Sequence, residues 1–187
     1  MDLVLSIFLG IGLAAAVGFR IFLPFLIISI ISQLGALQLA EGFEWIGSTT
    51  ALVLLATASI FEILSYYIPW LDNLLDSITG PLAMVCGSLV MASTLVEMEP
   101  WLKWTLAIIA GGGTAGLIKG SSTTTRAISS VTTAGFGNPL ISTIEVFSSL
   151  VLSVLSIFVP VLAVLLVLGL VLLISRTMIR KTQLPKS

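Results

Sequence analysis

The 187-residue chain has no histidine, a single cysteine (Cys86) and few charges, eight Lys or Arg against nine Asp or Glu, or 9% of its residues. Without histidine, neither a histidine-based catalytic triad nor a His-ligated metal can be built. One cysteine excludes an intramolecular disulfide and a thiolate cluster. A net charge of −1, with no basic patch interleaved with aromatics, gives no reason to expect nucleic acid. A phosphate loop is also missing, because "GGGTAGLIKGS" (111–121) lacks the glycine spacing that precedes a Lys-Ser or Lys-Thr pair.

What the chain does have is apolar surface, with 57% hydrophobic residues, as expected of a polypeptide whose main solvent is lipid. Charge-free stretches at 21–40, 77–96 and 146–175 each reach the roughly 20 residues that span a bilayer. Shorter apolar stretches at 3–19, 45–61 and 104–118 add further spans. The runs are continuous rather than alternating, which excludes a transmembrane barrel. The expected fold is all-α: one integral membrane domain over 1–187, a compact polytopic bundle of about five to seven membrane helices or half-helices. Ala14, Ala15 and Ala16 resemble a small-residue cleavage site, but the segment before them carries Asp2 and no Lys or Arg, so a cleaved signal peptide is not expected.

Two runs are too long for one crossing. The run 140–178 would measure nearly 60 Å as a single helix, against a hydrocarbon core of about 30 Å. It must tilt, bend or turn back, and Pro160 near its middle supplies a cause. The run 3–32 poses the same problem, with Gly18, Arg20 and Pro24 near its centre. Paired oddities of this kind suggest an inverted repeat with halves 1–98 and 99–178, aligning Gly10, Gly12, Arg20, Glu62 and Pro69 with Gly111, Gly113, Arg126, Glu145 and Pro160. The spacings match poorly, and helix packing alone selects such glycines. Arg176, Arg180, Lys181 and Lys186 follow the last apolar run, which places the C-terminus and a basic tail over 179–187 in the cytoplasm.

Charges inside the apolar runs are the functional candidates, since each costs several kcal/mol at membrane depth unless paired, neutralised or wetted. Arg20 and Glu62 either pair with each other and lock two helices, contact a bound ion, or snorkel to an interface. Arg126 and Glu145 form a second candidate pair, with Glu145 in the first turns of the helix that follows Pro139. In "EILSYYIPWLDNLLD" (62–76), Asp72 and Asp76 share a helical face with Asn73 beside them, and Glu62 and Tyr66 stack one turn apart. These oxygens suit Mg²⁺ or Ca²⁺. Two other readings stand beside that one: an interfacial helix anchored by Tyr66, Tyr67 and Trp70, or pairing of the aspartates with Arg126 or Lys119. The segment "AGLIKGSSTTTRAISSVTTAGFGNP" (115–139) reads either as an exposed loop or as a re-entrant, broken helix lining a polar cavity. Gly120 supplies a helix end and Gly137, Asn138 and Pro139 a turn.

Taken with "GIGLAAAVGFRIFLP" (10–24), "AGGGTAGLIKG" (110–120) and "TTAGFGNP" (132–139), the 62–76 block resembles the family catalogued as domain of unknown function 4126, small bacterial integral membrane proteins. The resemblance covers nearly the whole chain and implies a polytopic helical protein of the inner membrane, with no activity attached. Three functions follow from the residues. The first is a small transporter or channel-like protein for an ion or small polar solute, with Arg20, Glu62, Tyr66, Asp72, Asn73, Asp76, Arg126, Asn138 and Glu145 along a polar path and a homodimer in the bilayer. The second is a scaffold whose buried charges set helix register, and neither of these calls for a cofactor. The third is a metal-dependent enzyme acting on lipid headgroups through Asp72, Asn73 and Asp76.

Overall fold

A computed structural model describes residues 2–182, with the side chains of residues 69, 70, 72, 73 and 177–182 outside the description. The described residues hold α1 (Leu3–Phe19), α2 (Phe22–Gln33), a 3₁₀ turn (Glu44–Gly47), α3 (Thr49–Ser65) and α4 (Pro69–Thr94). They continue with α5 (Pro100–Leu106), a π turn (Ala107–Gly112), α6 (Gly113–Thr133), α7 (Asn138–Phe158) and α8 (Pro160–Thr182). The π turn fuses α5 and α6 into one rod of 34 residues, Pro100–Thr133.

Local chemistry sets the breaks. Arg20 adopts an extended conformation (φ −142°, ψ 128°) that ends α1, and two residues later α2 begins. Pro24 then lies in the first turn of α2, where a missing N–H costs nothing. Val159 (φ −139°, ψ 67°) ends α7, and Pro160 opens α8. Both overlong runs therefore fold back on themselves. The charge-free stretch 21–40 is accordingly not one continuous helix: it is helical only over Phe22–Gln33 and then leaves through Gly35, in the left-handed region at φ 73°.

The Ser/Thr/Gly-rich segment is neither a loop nor a broken helix. It forms α6 straight through Gly120 to Thr133, before Ala134 (φ 52°) and Gly135 (φ 86°) make a left-handed turn. Its hydroxyls are satisfied within the helix: Ser121, Thr124, Thr125, Thr132 and Thr133 donate to the carbonyls of Leu117, Gly120, Ser121, Ile128 and Ser129.

Helix α1 is the hub, touching α4, α6, α7 and α8. Its buried residues are small, including Gly10, Gly12, Ala14, Ala15, Ala16 and Gly18. Small residues let helices approach where lipid supplies no hydrophobic force between them. A Cβ on Gly18 would come within 2.7 Å of the Ala115 carbonyl oxygen, and one on Gly111 within 2.7 Å of the Gly87 carbonyl. The π turn, whose extra residue widens the helix locally, puts both Gly111 and Gly112 against α4.

The contacts fix the directions. Gly10 lies beside Met91 and Thr94, and Gly12 beside Ser156, so α4 and α7 run antiparallel to α1. Gly18 lies beside Ala115 and Ile118, so α6 runs parallel to it. Ala40 N–H donates to the Ser93 carbonyl (2.8 Å), which brings the 34–47 connection to the end where α1 starts and α4 stops.

The outside of the bundle is apolar, with Leu54, Ile109, Phe147 and Leu165 among many exposed large side chains, whereas Arg20, Lys119, Arg126 and Glu145 are buried. Three helical stretches, 74–94, 100–133 and 138–158, are long and apolar enough to cross a membrane, and four shorter apolar helices pack beside them. The molecule is a membrane-embedded helical bundle in contact with lipid.

Candidate functional site

Where α1 breaks, four helices bring their charges together around one ring. Tyr66, the residue that ends α3, is 2% exposed. Its ring centroid lies 4.0 Å from Arg20 Cζ, 4.4 Å from Arg126 Cζ and 5.3 Å from Lys119 Nζ. Each cation meets the electron-rich ring face, an interaction of about 2 kcal/mol when desolvated. The interfacial anchor expected of Tyr66 is thus corrected, because the ring is held inside by cations rather than at headgroup level. Tyr67, by contrast, is exposed, and its hydroxyl bonds Thr143 Oγ1 at 2.9 Å.

Glu145 on α7 is the shared counter-charge. Its Oε2 lies 3.1 Å from Arg20 Nη2 and also pairs with Arg126 Nη2, while Oε1 accepts from Arg126 Nε (3.1 Å) and Ser122 Oγ. The Arg126–Glu145 pair is as the sequence suggested. The Arg20–Glu62 pair is not formed. Arg20 turns instead to Glu145 and to the Ser142 carbonyl (3.1 Å) and hydroxyl. Half-buried Glu62 accepts the backbone N–H groups of Ile21 (2.7 Å) and Phe22 (3.0 Å), capping the start of α2 from α3. The first N–H groups of a helix have no partner within it and carry the positive end of its dipole, so a carboxylate there is well used.

Lys119 Nζ pairs with Asp76 Oδ1 at 2.8 Å and donates to the Tyr66 hydroxyl at 3.1 Å. Of the readings open for Asp76, pairing with Lys119 is the one observed. The ammonium of Lys119 is thus the cation that Asp76 faces. Among the described residues no three His, Cys, Asp or Glu side chains come together. Asp72 and Asn73 lie on α4, but their side chains fall outside the description, as does the tail from residue 183 on. Asn138 stands apart from the ring, at the start of α7, with its Nδ2 donating to Ser130 Oγ (3.0 Å) across the turn.

Sequence reasoning named Lys119 only as a partner for the aspartates and did not include Ser122, Ser142 and Thr79, the last of which lies 3.4 Å from the Tyr66 hydroxyl. Lys119, Ser122 and Arg126 are spaced three and four apart on one helix face. That signal is visible only once residues 113–133 are known to be helical.

The burial is the chemical point. Arg20 and Arg126 are 1% exposed, Lys119 3% and Glu145 4%. Arg20 lies 14 positions along α1 from Ser6, whose carbonyl accepts from Thr94 at the far end of the bundle (3.3 Å). At 1.5 Å per residue that is about 21 Å, less than the roughly 30 Å thickness of a hydrocarbon core. Arg20 is not fully satisfied, since Nε and Nη1 are buried with no acceptor. A guanidinium carries five N–H groups and Nη2 supplies two, so three stand unpaired, each at a cost of roughly 1–3 kcal/mol.

The family model for the domain of unknown function DUF4126 matches residues 7–180. No curated protein and no solved structure matches the chain. With nearly its whole length covered, the chain belongs to the DUF4126 family.

Proposed function

We propose that the protein is a small membrane transporter whose solute binds at the Arg20–Tyr66–Glu145 cluster. The observation that carries this reading is Arg20, a fully buried cation at a helix break with three N–H donors facing no acceptor among the described residues. A broken helix at membrane depth, where charged and backbone groups converge, is how transporters build solute sites.

The charge distribution supports an orientation. Helix α8 runs from Pro160 toward the cluster end and exposes Arg176 there. Glu41, Glu44, Glu97 and Glu99 lie at the opposite end with Lys103. The positive-inside bias then puts the cluster toward the cytoplasm and the acidic loops outside. At the acidic end a cleft of about 330 Å³ is lined by Ser6, Gln38, Thr94 and Glu97. Between it and Arg20 lie Leu13, Val17, Ile28 and Val90, packed and buried. This arrangement suits a closed state in which an outer vestibule and an inner polar site are separated by apolar side chains, and passage needs helix motion.

The test is uptake of radiolabelled solutes into sealed proteoliposomes. Transport predicts flux above that of empty vesicles, lost in Arg20→Lys and Glu145→Gln proteins that still purify as folded species. A scaffold is the second reading, favoured by the mutual pairing of Arg126, Glu145 and Ser122. It predicts no flux for any solute.

A further inference from the structure

We propose that the Tyr66 cluster is a binding site for a small oxyanion, a phosphate, sulfate or carboxylate group that accepts from the Nη1 or the Nε donor of Arg20. The proposal rests on the reading of this cluster as the solute site and names the class of solute.

Among the described residues, the carboxylates around the ring are committed. Glu145 is shared by Arg20, Arg126 and Ser122. Asp76 is held by Lys119, and Glu62 by two backbone N–H groups. Three cations nevertheless converge within 5.3 Å of one ring centroid. The donors left over all belong to Arg20, which is 1% exposed. A cationic solute has nothing to offer these N–H groups. An oxyanion brings two or more acceptor oxygens and the charge that a buried guanidinium attracts most strongly. The remaining alternative, water, satisfies donors but brings no charge.

The phosphate or carboxylate group can come from a free solute or from a lipid headgroup, and the experiment separates the two. Full-length protein labelled with ¹⁵N-arginine carries four arginines, Arg20, Arg126, Arg176 and Arg180, and so gives four Nε–H signals. That of Arg20 is assigned through its contacts with Ser142, since Arg126 meets the Tyr66 ring as well. The protein in neutral nanodiscs is titrated with inorganic phosphate, sulfate and acetate, each against chloride at equal ionic strength.

The expected result is a saturable shift of the Arg20 signal with at least one oxyanion and not with chloride. Followed through the signal of Arg126 beside the same ring, Arg20→Lys should weaken that binding by about tenfold or more, while Arg176→Lys leaves it unchanged. A shift that appears without added oxyanion, only when phosphatidylglycerol is included, supports the site and assigns the oxyanion to a lipid headgroup. No saturable shift with any oxyanion or anionic lipid leaves water as the occupant and overturns the proposal, as does equal binding by Arg20→Lys. Saturable binding without vesicle flux supports the site while removing the transport reading. Flux without an Arg20 shift overturns the site and keeps transport.

Discussion

Replacing Glu145 with Gln removes the one negative charge that two buried guanidiniums share. The substitution keeps the shape of the side chain and one acceptor oxygen. It turns the other oxygen into a donor, which then faces Arg20 Nη2 or Arg126, both donors themselves. Breaking a buried pair from one side typically costs 3–5 kcal/mol, because a lone buried charge is left behind. Glu145 is 4% exposed and is the carboxylate that Arg20 pairs with, so a loss of about 3–5 kcal/mol is expected. For a chain of this size that corresponds to a loss of about 6 to 20 °C in Tm. The chain reports its own unfolding through Cys86, its only cysteine, half-buried on α4: a fluorogenic maleimide lights up as the bundle opens. Adding Arg20→Met removes one stranded cation together with its unpaired donors. The double variant Arg20→Met/Glu145→Gln should therefore be more stable than Glu145→Gln by about 1 kcal/mol or more. A Glu145→Gln protein that melts within about 2 °C of wild type, or a double variant less stable than the single, refutes the picture of a desolvated, shared ion pair.

Glu62→Ala leaves the Ile21 and Phe22 N–H groups unpaired and should cost about 1–2 kcal/mol, with Glu62→Gln less damaging because one acceptor remains; thermal unfolding of the two variants checks the order. Gly18→Ala drives a methyl against the Ala115 carbonyl and should destabilise by about 1–3 kcal/mol, whereas Gly113→Ala, with nothing within 4 Å, should be neutral or slightly stabilising in the same assay. Tyr66→Phe removes the acceptor of Lys119 but keeps the ring between the arginines, so its loss of about 1–3 kcal/mol should be smaller than that of Tyr66→Leu, which removes both. In a Cys86→Ser background, an impermeant maleimide should reach a cysteine at position 176 only from the cytoplasmic face and one at position 41 only from the outside.

The membrane class and the all-helical architecture were legible because continuous apolar runs leave no other fold. The two chain reversals were legible as a length problem but not as a solution. A run such as 3–32 says that it cannot be straight, while the extended φ and ψ of Arg20 come from tertiary demands on that residue. Arg126 and Glu145 could be paired from sequence because each needed a partner. Arg20 could not be assigned between Glu62 and Glu145, since that choice depends on which helix stands beside the break. The segment 115–139 was misread as far as Thr133 because Ser, Thr and Gly favour turns and caps. On α6 their hydroxyls bond back to the preceding turn, and the tight packing of α6 against α1 and α4 outweighs local propensity. That misreading also hid the face carrying Lys119, Ser122 and Arg126.

The most direct measurement is an experimental density map good enough to show ordered water and small solutes around the break in α1. The account predicts a non-protein feature within about 3 Å of Arg20 Nε or Nη1, enclosed by Tyr66 and the other two cations. Apolar side chains packed against both nitrogens, or an Arg20 turned out to the headgroups, would contradict it.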